Sequence, residues 1–377
     1  MPEPVYLDLS ELVAAPLRTG IQRIEREAIR HWPGPARLLP CRIDAQGQFV
    51  QLPDAVLEVL CADDDGSPEA RDAERQQLRH LADKARPVAA AQVKRLLNLE
   101  LFFSPIRADA HLRIAATGTS VSWYLYDFLP FLRPDLFPQG LTRTCMHFLR
   151  GLRAATRLAF LSDQTRRDYI RRVRRVPDLE AVGPILQPGA DGIQLERQVF
   201  SPSRRDFVAI GTVEPRKNPQ ALLDAFEMLW NRGIAIRLVV AGRMSPDAKD
   251  ALAFFARHAA NPNLVVMEQP ADEALRAVLR QARAVVMPSE AEGFGLPPYE
   301  ALYAGIPAIA SVRLPSAALL PAGVRLLERM DAASIADAVA SLLDDATAAR
   351  LWDEAAGIRL PTWATFGRAL GDWAQEA

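Results

Sequence analysis

The chain has 377 residues, of which 49% are hydrophobic, 24% charged and 7% aromatic, a globular composition that excludes a disordered or fibrous protein. Forty-five basic residues against 46 acidic ones leave a net charge of −1, so there is no chain-wide basic field for nucleic acid. Cys41, Cys61 and Cys145 lie too far apart for a disulfide framework or a zinc ribbon, and neither a signal peptide nor an apolar run of about 20 residues is present, so a cytoplasmic chain is expected.

One core rarely serves more than roughly 250–300 residues, so the length predicts two domains. In chain order, PVYLDL (4–9) reads as a strand and TGIQRIEREAIRHW (19–32) as a helix, with Ile21, Ile24, Ala28 and Ile29 at helical spacing. ARLLPCRI (36–43) is a strand, ADDDGSPEA (62–70) a turn, and 70–98 a long charged helix. LRIAATG (112–118), VSWYLYDFLP (121–130) and RLAFLS (157–162) read as buried strands, and 163–175 as a basic helix. Beyond it, DFVAIGT (206–212), IRLVVAG (236–242), NLVVMEQ (263–269), ARAVVMPSE (282–290) and PAIAS (307–311) are short apolar strands. Amphipathic helices such as 219–233 alternate with them, which is the signature of a parallel sheet covered on both faces. The Pro- and Gly-bearing stretch 184–206 reads as a hinge. The expected domains are 1–190, 191–360, and a C-terminal helix over 361–377 that packs back on the N-terminal domain with Trp363, Phe366, Leu370 and Trp373 on one face.

Two loops carry chemistry. In AIGTVEPRKNP (209–219) a strand ends at Gly211-Thr212, and Arg216 and Lys217 precede a helix. Adjacent cations at such a turn suit a diphosphate, the Arg fork taking two oxygens and Lys acting as a point charge. In an Arg-rich chain a solvated turn is the commoner reading of a bare Arg-Lys pair, although Lys217 is one of only four lysines. In MPSEAEGFGLPPYEALYAG (287–305) a strand delivers Ser289, Glu290 and Glu292 to a Gly293-Phe294-Gly295-Leu296 turn. Pro297 and Pro298 suit the first helical turn, whose free amides favour anionic or hydroxyl ligands.

The segment EGFGLPPYE resembles the Glu–seven residues–Glu signature of retaining glycosyltransferases of family 4. Those enzymes have the GT-B fold, an α/β architecture of two Rossmann-like domains facing a central cleft. GTVEPRKN resembles the family's diphosphate loop, TGIQRIERE (19–27) its N-terminal Gly loop, and YDFLPFLRPDLFP (126–138) its His-Asp or Tyr-Asp loop. LSDQTRRD (161–168), PGAD (188–191) and MEQPADEALRAVLRQARAVVMPSEAEGFG (267–295) follow in the family's order, so the collinear likeness runs from residue 5 to about 345. The subgroup it resembles most is the bacterial mannosyl- and rhamnosyltransferases of O-antigen and exopolysaccharide synthesis. Two positions depart from the pattern: Tyr126 stands where many members have His, and Thr19 where a second Gly is common.

The resemblance implies roles. Arg216 and Lys217 should bind the diphosphate beside Gly211 and Thr212. Glu292 should accept hydrogen bonds from the sugar hydroxyls, aided by the amides of Gly293, Phe294, Gly295 and Leu296. Glu300 should hold the ribose, and residues 267–273, beginning with Met267, the base. Gly20 should approach the donor phosphate, and Asp127 should lie near the reacting carbon. The implied substrates are a nucleotide-sugar donor, with GDP-mannose ahead of dTDP-rhamnose and UDP-hexoses, and a saccharide or lipid-linked saccharide acceptor. No cofactor and no metal are expected, and Asp63-Asp64-Asp65 reads as a solvated turn. Residues 142–175 hold ten Arg against two Asp, a charge of +8, which suits either a membrane-surface patch at the inner face of the plasma membrane or a solvated helix face. A sugar-nucleotide epimerase and a catalytically silent nucleotide-sugar-binding scaffold stay open as other classes.

Overall fold

A computed structural model describes residues 3–62, 66–174 and 182–376. They fall into two units, one of 1–134, 139–189 and 361–377, the other of 135–138 and 190–360. Asp63, Asp64 and Asp65 lie outside the described residues, as does Arg175 at the end of the basic segment.

The first unit is built on seven strands: β1 (Val5–Asp8), β2 (Leu38–Ile43), β3 (Phe49–Gln51), β4 (Arg86–Pro87), β5 (Arg95–Asn98), β6 (Ser120–Leu125) and β7 (Arg157–Phe160). Their order is β4-β3-β2-β1-β5-β6-β7. The two pairings at the β4 end, β2 with β3 and β3 with β4, are antiparallel and the rest are parallel. The strand order reverses direction between β1 and β5, which makes that point the crevice where such sheets receive ligands. Trp123, on one face of β6, packs with Phe102, His111 and Phe148. Tyr124, on the other face, packs against Phe366 of the helix Trp363–Gln375.

That helix buries Trp363, Phe366, Leu370 and Trp373 within the first unit. Burying such a side chain is worth roughly 1.5–3 kcal/mol. A Cβ added at Gly367 would stand 2.5 Å from His31 Cβ, so only glycine lets this helix lie so close to the end of the helix Gly20–Arg30.

Two expectations fail here. The segment 112–118 is no strand but the end of the helix Pro105–Ala115, which Ser104 caps through Arg107 N. Its buried positions, Arg107, Ala108, Ala110, His111 and Ile114, follow helical spacing, whereas a short apolar run by itself does not separate helix from strand. The charged helix is Pro68–Ala82 and stops well before 98. Arg86 precedes Pro87, whose ring biases it toward extended backbone, and the chain runs through β4 and β5 instead. The basic helix is helical over all its described residues, as α-helix over Asp163–Asp168 and as π-helix over Tyr169–Arg174. The charge of the basic segment is partly compensated, because Arg166 and Arg167 pair with Asp163, Arg150 with Asp109 and Arg157 with Glu376.

The second unit holds a wholly parallel sheet of six strands: β8 (Asp206–Ile210), β9 (Arg237–Gly242), β10 (Leu264–Glu268), β11 (Ala282–Met287), β12 (Ala308–Ser311) and β13 (Val324–Leu327). The order is β10-β9-β8-β11-β12-β13, so the reversal falls between β8 and β11. Alternate residues face opposite ways. Phe207, Leu238, Val240, Ala284 and Val286 join Phe226, Ile335 and Val339 in one core layer. Val208, Val239 and Val285 join Leu279, Ala301, Ile306 and Trp352 in the other.

Candidate active site

The carboxyl ends of β8 and β11 meet at the second reversal. After β8, Gly211 takes φ +122° and donates its N–H to Ala241 O at 2.9 Å. A Cβ at Gly242 would stand 2.1 Å from Gly211 O, and one at Gly211 would stand 2.8 Å from Lys217 Nζ. Two glycines at adjacent strand ends thus let the ammonium fold over bare backbone. Pro215–Lys217 form a 3₁₀ turn, and Asn218, at φ +56°, redirects the chain into the helix Pro219–Asn231. Asn218 Nδ2 donates to Met330 O at 2.6 Å, which anchors the loop.

From β11 the chain delivers Glu292 onto this pair. Its Oε2 lies 2.5 Å from Arg216 Nη1 and its Oε1 3.1 Å from Lys217 Nζ, and Ser289 Oγ donates to Oε1 at 3.2 Å. Arg216 Nη2 lies 2.7 Å from Glu214 Oε1. Arg216 O accepts from Glu290 N at 2.8 Å, so backbone as well as side chains joins the two loops. Burial pushes the Glu292 carboxyl pKa upward, but the Lys217 and Arg216 charges outweigh it and hold the group below the usual carboxylate range. The turn behind it is fixed from within: Phe294 packs edge-on to Tyr299 at 5.0 Å, and Ser316 Oγ donates to Gly295 O at 2.9 Å. Leu296, Pro297 and Pro298 open the helix Leu296–Tyr303.

The structure brings Gly211, Arg216, Lys217 and Glu292 together, with Thr212 and Gly293 half-buried in the same loops. Glu300 is buried in the helix after the turn, at 3% exposure. Met267 is a half-buried residue of β10 between the exposed Val266 and Glu268. Gly20 and Asp127 belong to the first unit. Gly20 is the exposed first residue of its helix, capped by Thr19 through Gln22 N. Asp127 is half-buried just past β6 and accepts from Leu129 N at 2.9 Å. Tyr126 turns inward, and its hydroxyl donates to Leu99 O at 2.6 Å.

Two things escaped the sequence. Glu214 was the one charged residue of its loop without a part in the reading; its place two residues before Arg216 was the available signal. The other is a buried polar cluster at the first reversal. Arg107 Nη2 lies 2.7 Å from Asp8 Oδ2 and 2.5 Å from Glu100 Oε2, and its Nη1 lies 3.1 Å from Glu11 Oε1. His111, one helical turn on, reaches Asp8 Oδ2 at 2.9 Å. Glu100 also accepts from Glu11 N and Leu12 N. Burial pushes the Asp8 carboxyl pKa up, but Arg107 and His111 hold it well below its ordinary value. Burial and the Asp8 charge push Glu100 up to about 7 despite Arg107. Burial and Glu100 raise the carboxyl of Glu25 well above the usual range, and its Oε2 has no hydrogen-bond partner among the described residues. The signals were an acid ending the apolar strand PVYLDL and an Arg and His four apart.

Among the described residues no group of three or more His, Cys, Asp or Glu is arranged to hold a metal ion, and no helix is long and apolar enough to cross a membrane.

Residues 193–358 match the family described as Glycosyl transferases group 1. The serotype-specific mannosyltransferase WbdA of Escherichia coli is 29% identical over 216 residues, 52% of this chain and 26% of that protein. The chain therefore spans about a quarter of the length of that relative. The O-antigen chain mannosyltransferase B of Escherichia coli is 33% identical over 103 residues, 27% of each chain. Among solved structures, HepE of Anabaena in complex with UDP and glucose superposes with a TM-score of 0.69 at 14% identity over 100% of both chains. Sucrose-phosphate synthase from Thermosynechococcus elongatus superposes with a TM-score of 0.67 at 16% identity over 98% of both. At these identities the structures show the fold alone. The chain thus has the GT-B fold, and over residues 193–358 it is similar to the glycosyl transferases group 1 family.

Proposed function

We propose that this chain is a retaining, metal-independent hexosyltransferase. It moves a hexose from a nucleotide diphosphate sugar to a growing bacterial polysaccharide or a lipid-linked oligosaccharide. The observation that carries the reading is the Arg216–Lys217 pair folded over Gly211 against Glu292. Cations fixed over bare backbone at a sheet reversal suit a diphosphate, and they stabilise the charge that develops on it as the sugar leaves. The departing phosphate takes the acceptor proton, and the sugar passes through an oxocarbenium-like state with substitution on one face. No enzymic nucleophile is needed. Glu292 reads the sugar hydroxyls, Glu300 holds the ribose, 267–273 meet the base, and Gly20 and Asp127 serve the phosphate and the reacting carbon.

GDP-mannose is the first donor, supported by the mannosyltransferase names of the relatives. dTDP-rhamnose and UDP-hexoses follow, the latter supported by the UDP and glucose held by HepE. The exposed Arg171, Arg172 and Arg174 are the part of the basic segment suited to an anionic lipid surface at the inner face of the plasma membrane, where each basic residue gains roughly 1 kcal/mol. The test is thermal shift against GDP, dTDP, UDP, ADP and CMP with and without magnesium, followed by transfer assays with the sugars of the winning base. GDP at 100 times its dissociation constant should stabilise the fold by about 2.7 kcal/mol without metal. Absence of a shift with all five nucleotides would sink the donor-site reading.

A further inference from the structure

The cations of the donor site already have partners. Arg216 and Lys217 contribute two positive charges, and Glu292 and Glu214 two negative ones, all within 2.5–3.1 Å ion pairs. The cluster is therefore neutral at rest. It exerts little long-range pull on an anion, and the positions that diphosphate oxygens would take on Arg216 Nη1 and Lys217 Nζ are held by the two oxygens of Glu292. The Glu292 side chain is only 9% exposed. A charge so enclosed leaves its partners only when something of the same sign replaces it, because breaking a buried pair strands the remaining charge.

We infer that Glu292 is the resting counter-ion of the Arg216–Lys217 pair, that an incoming diphosphate enters by exchanging with it, and that the released carboxylate is the group then free to read the sugar. The inference rests on the donor-site reading above. It makes recognition ordered: the sugar-reading carboxylate becomes available only after the diphosphate has taken the cations. A free hexose finds that carboxylate occupied and binds poorly. Glu214, on the other Nη of Arg216, is a positioning residue that holds the guanidinium plane toward the site while Glu292 departs. Ser289 Oγ tethers Oε1 and limits how far it travels.

The probe is inorganic pyrophosphate, titrated calorimetrically into the whole chain and into E292Q, E214Q, K217A and the double variant E292Q/K217A, with hexose transfer measured in parallel. E292Q keeps the shape and removes the charge. It should bind pyrophosphate at least tenfold more tightly than the parent chain while losing at least a hundredfold in transfer. E214Q should bind about threefold more tightly, and K217A should erase the gain in the double variant. Pyrophosphate binding to E292Q that is equal to or weaker than the parent's would overturn the exchange. If E292Q fails to fold, E292D takes its place, because its shorter carboxylate cannot bridge both cations, and pyrophosphate affinity no tighter than the parent's in that variant overturns the exchange. Parent binding that K217A abolishes but E292Q leaves unimproved refutes the exchange and keeps the donor site. No pyrophosphate binding by any form, with no nucleotide-induced thermal shift, refutes the donor site as well.

Discussion

At the reversal of the first sheet, Arg107 is enclosed by Asp8, Glu100 and Glu11 with only 4% of its side chain exposed. At the reversal of the second, Arg216 and Lys217 stand against Glu292 and Glu214 with 20% and 18% exposed. Both clusters set an arginine among carboxylates, and both sit where a doubly wound sheet would accept a ligand. The difference is access. In the first unit the guanidinium is itself the plug, supplied by the helix after β5 and stacked over the Phe102 ring at 4.3 Å. It bonds β1, β5 and the start of the helix Ser10–Ala14 into one body. In the second unit glycines occupy the space that side chains would fill, so the two cations stay partly exposed beside the enclosed Glu292 carboxylate. Charge alone therefore does not mark a site; charge left open at a strand end does.

The largest effect is expected of Arg107→Met. Removing the shared cation strands Asp8 and Glu100 in the core, so urea unfolding should show a loss of about 3–5 kcal/mol. A loss below about 1 kcal/mol would mean that the first cluster is as replaceable as a surface pair. Lys217→Ala tests the opposite end: transfer should fall about 100- to 1,000-fold while the melting temperature moves by no more than about 2 °C. Near-normal transfer would remove this cluster from the chemistry.

Glu100→Gln sharpens the contrast through pH. The folded-state pKa of Glu100, pushed up to about 7 by burial and by Asp8, exceeds its unfolded value near 4.3. Between those values the folded state holds the extra proton, so this group's contribution falls as pH rises through that window. Comparing unfolding at pH 5 and pH 8, the parent chain should lose about 3 kcal/mol more than the Gln variant. Parallel pH curves would show that Glu100 is ionised throughout. The smallest effect is expected of Gly211→Ala, where φ is +122° and the new methyl would crowd Lys217 Nζ. About 1–3 kcal/mol of stability and roughly tenfold in transfer should be lost. An unchanged rate would show that the Lys217 position is not critical.

The second unit was the more legible. Its strands are apolar throughout and its helices amphipathic, so local pattern and final structure agree, with the short edge strand β13 the one omission. The Arg216–Lys217 and Glu292 loops were legible because glycine and proline punctuate strand ends in a way that does not depend on distant packing. The first unit was harder. Leu112 and Ile114 sit in a run that fits either period, and only the Ser104 cap and Pro105 decide for helix. The Arg107 cluster was hidden because its members come from 8, 11, 25, 100, 107 and 111, and nothing local announces that Asp8 and Glu100 will face one guanidinium. The ion pairing of Glu292 with both cations also depends on β8 and β11 being neighbours, a fact of topology that no window of sequence contains.

The placement of the helix Trp363–Gln375 has a consequence for how the protein is made. The first unit is interrupted by residues 190–360 and receives its last element only from 361–377. During synthesis the second unit can therefore close its sheet while the first still lacks the cover over Tyr124 and over the end of the helix Gly20–Arg30. The nascent first unit has to wait with an apolar face uncovered, and a stop codon placed before Trp363 would leave it in that state permanently.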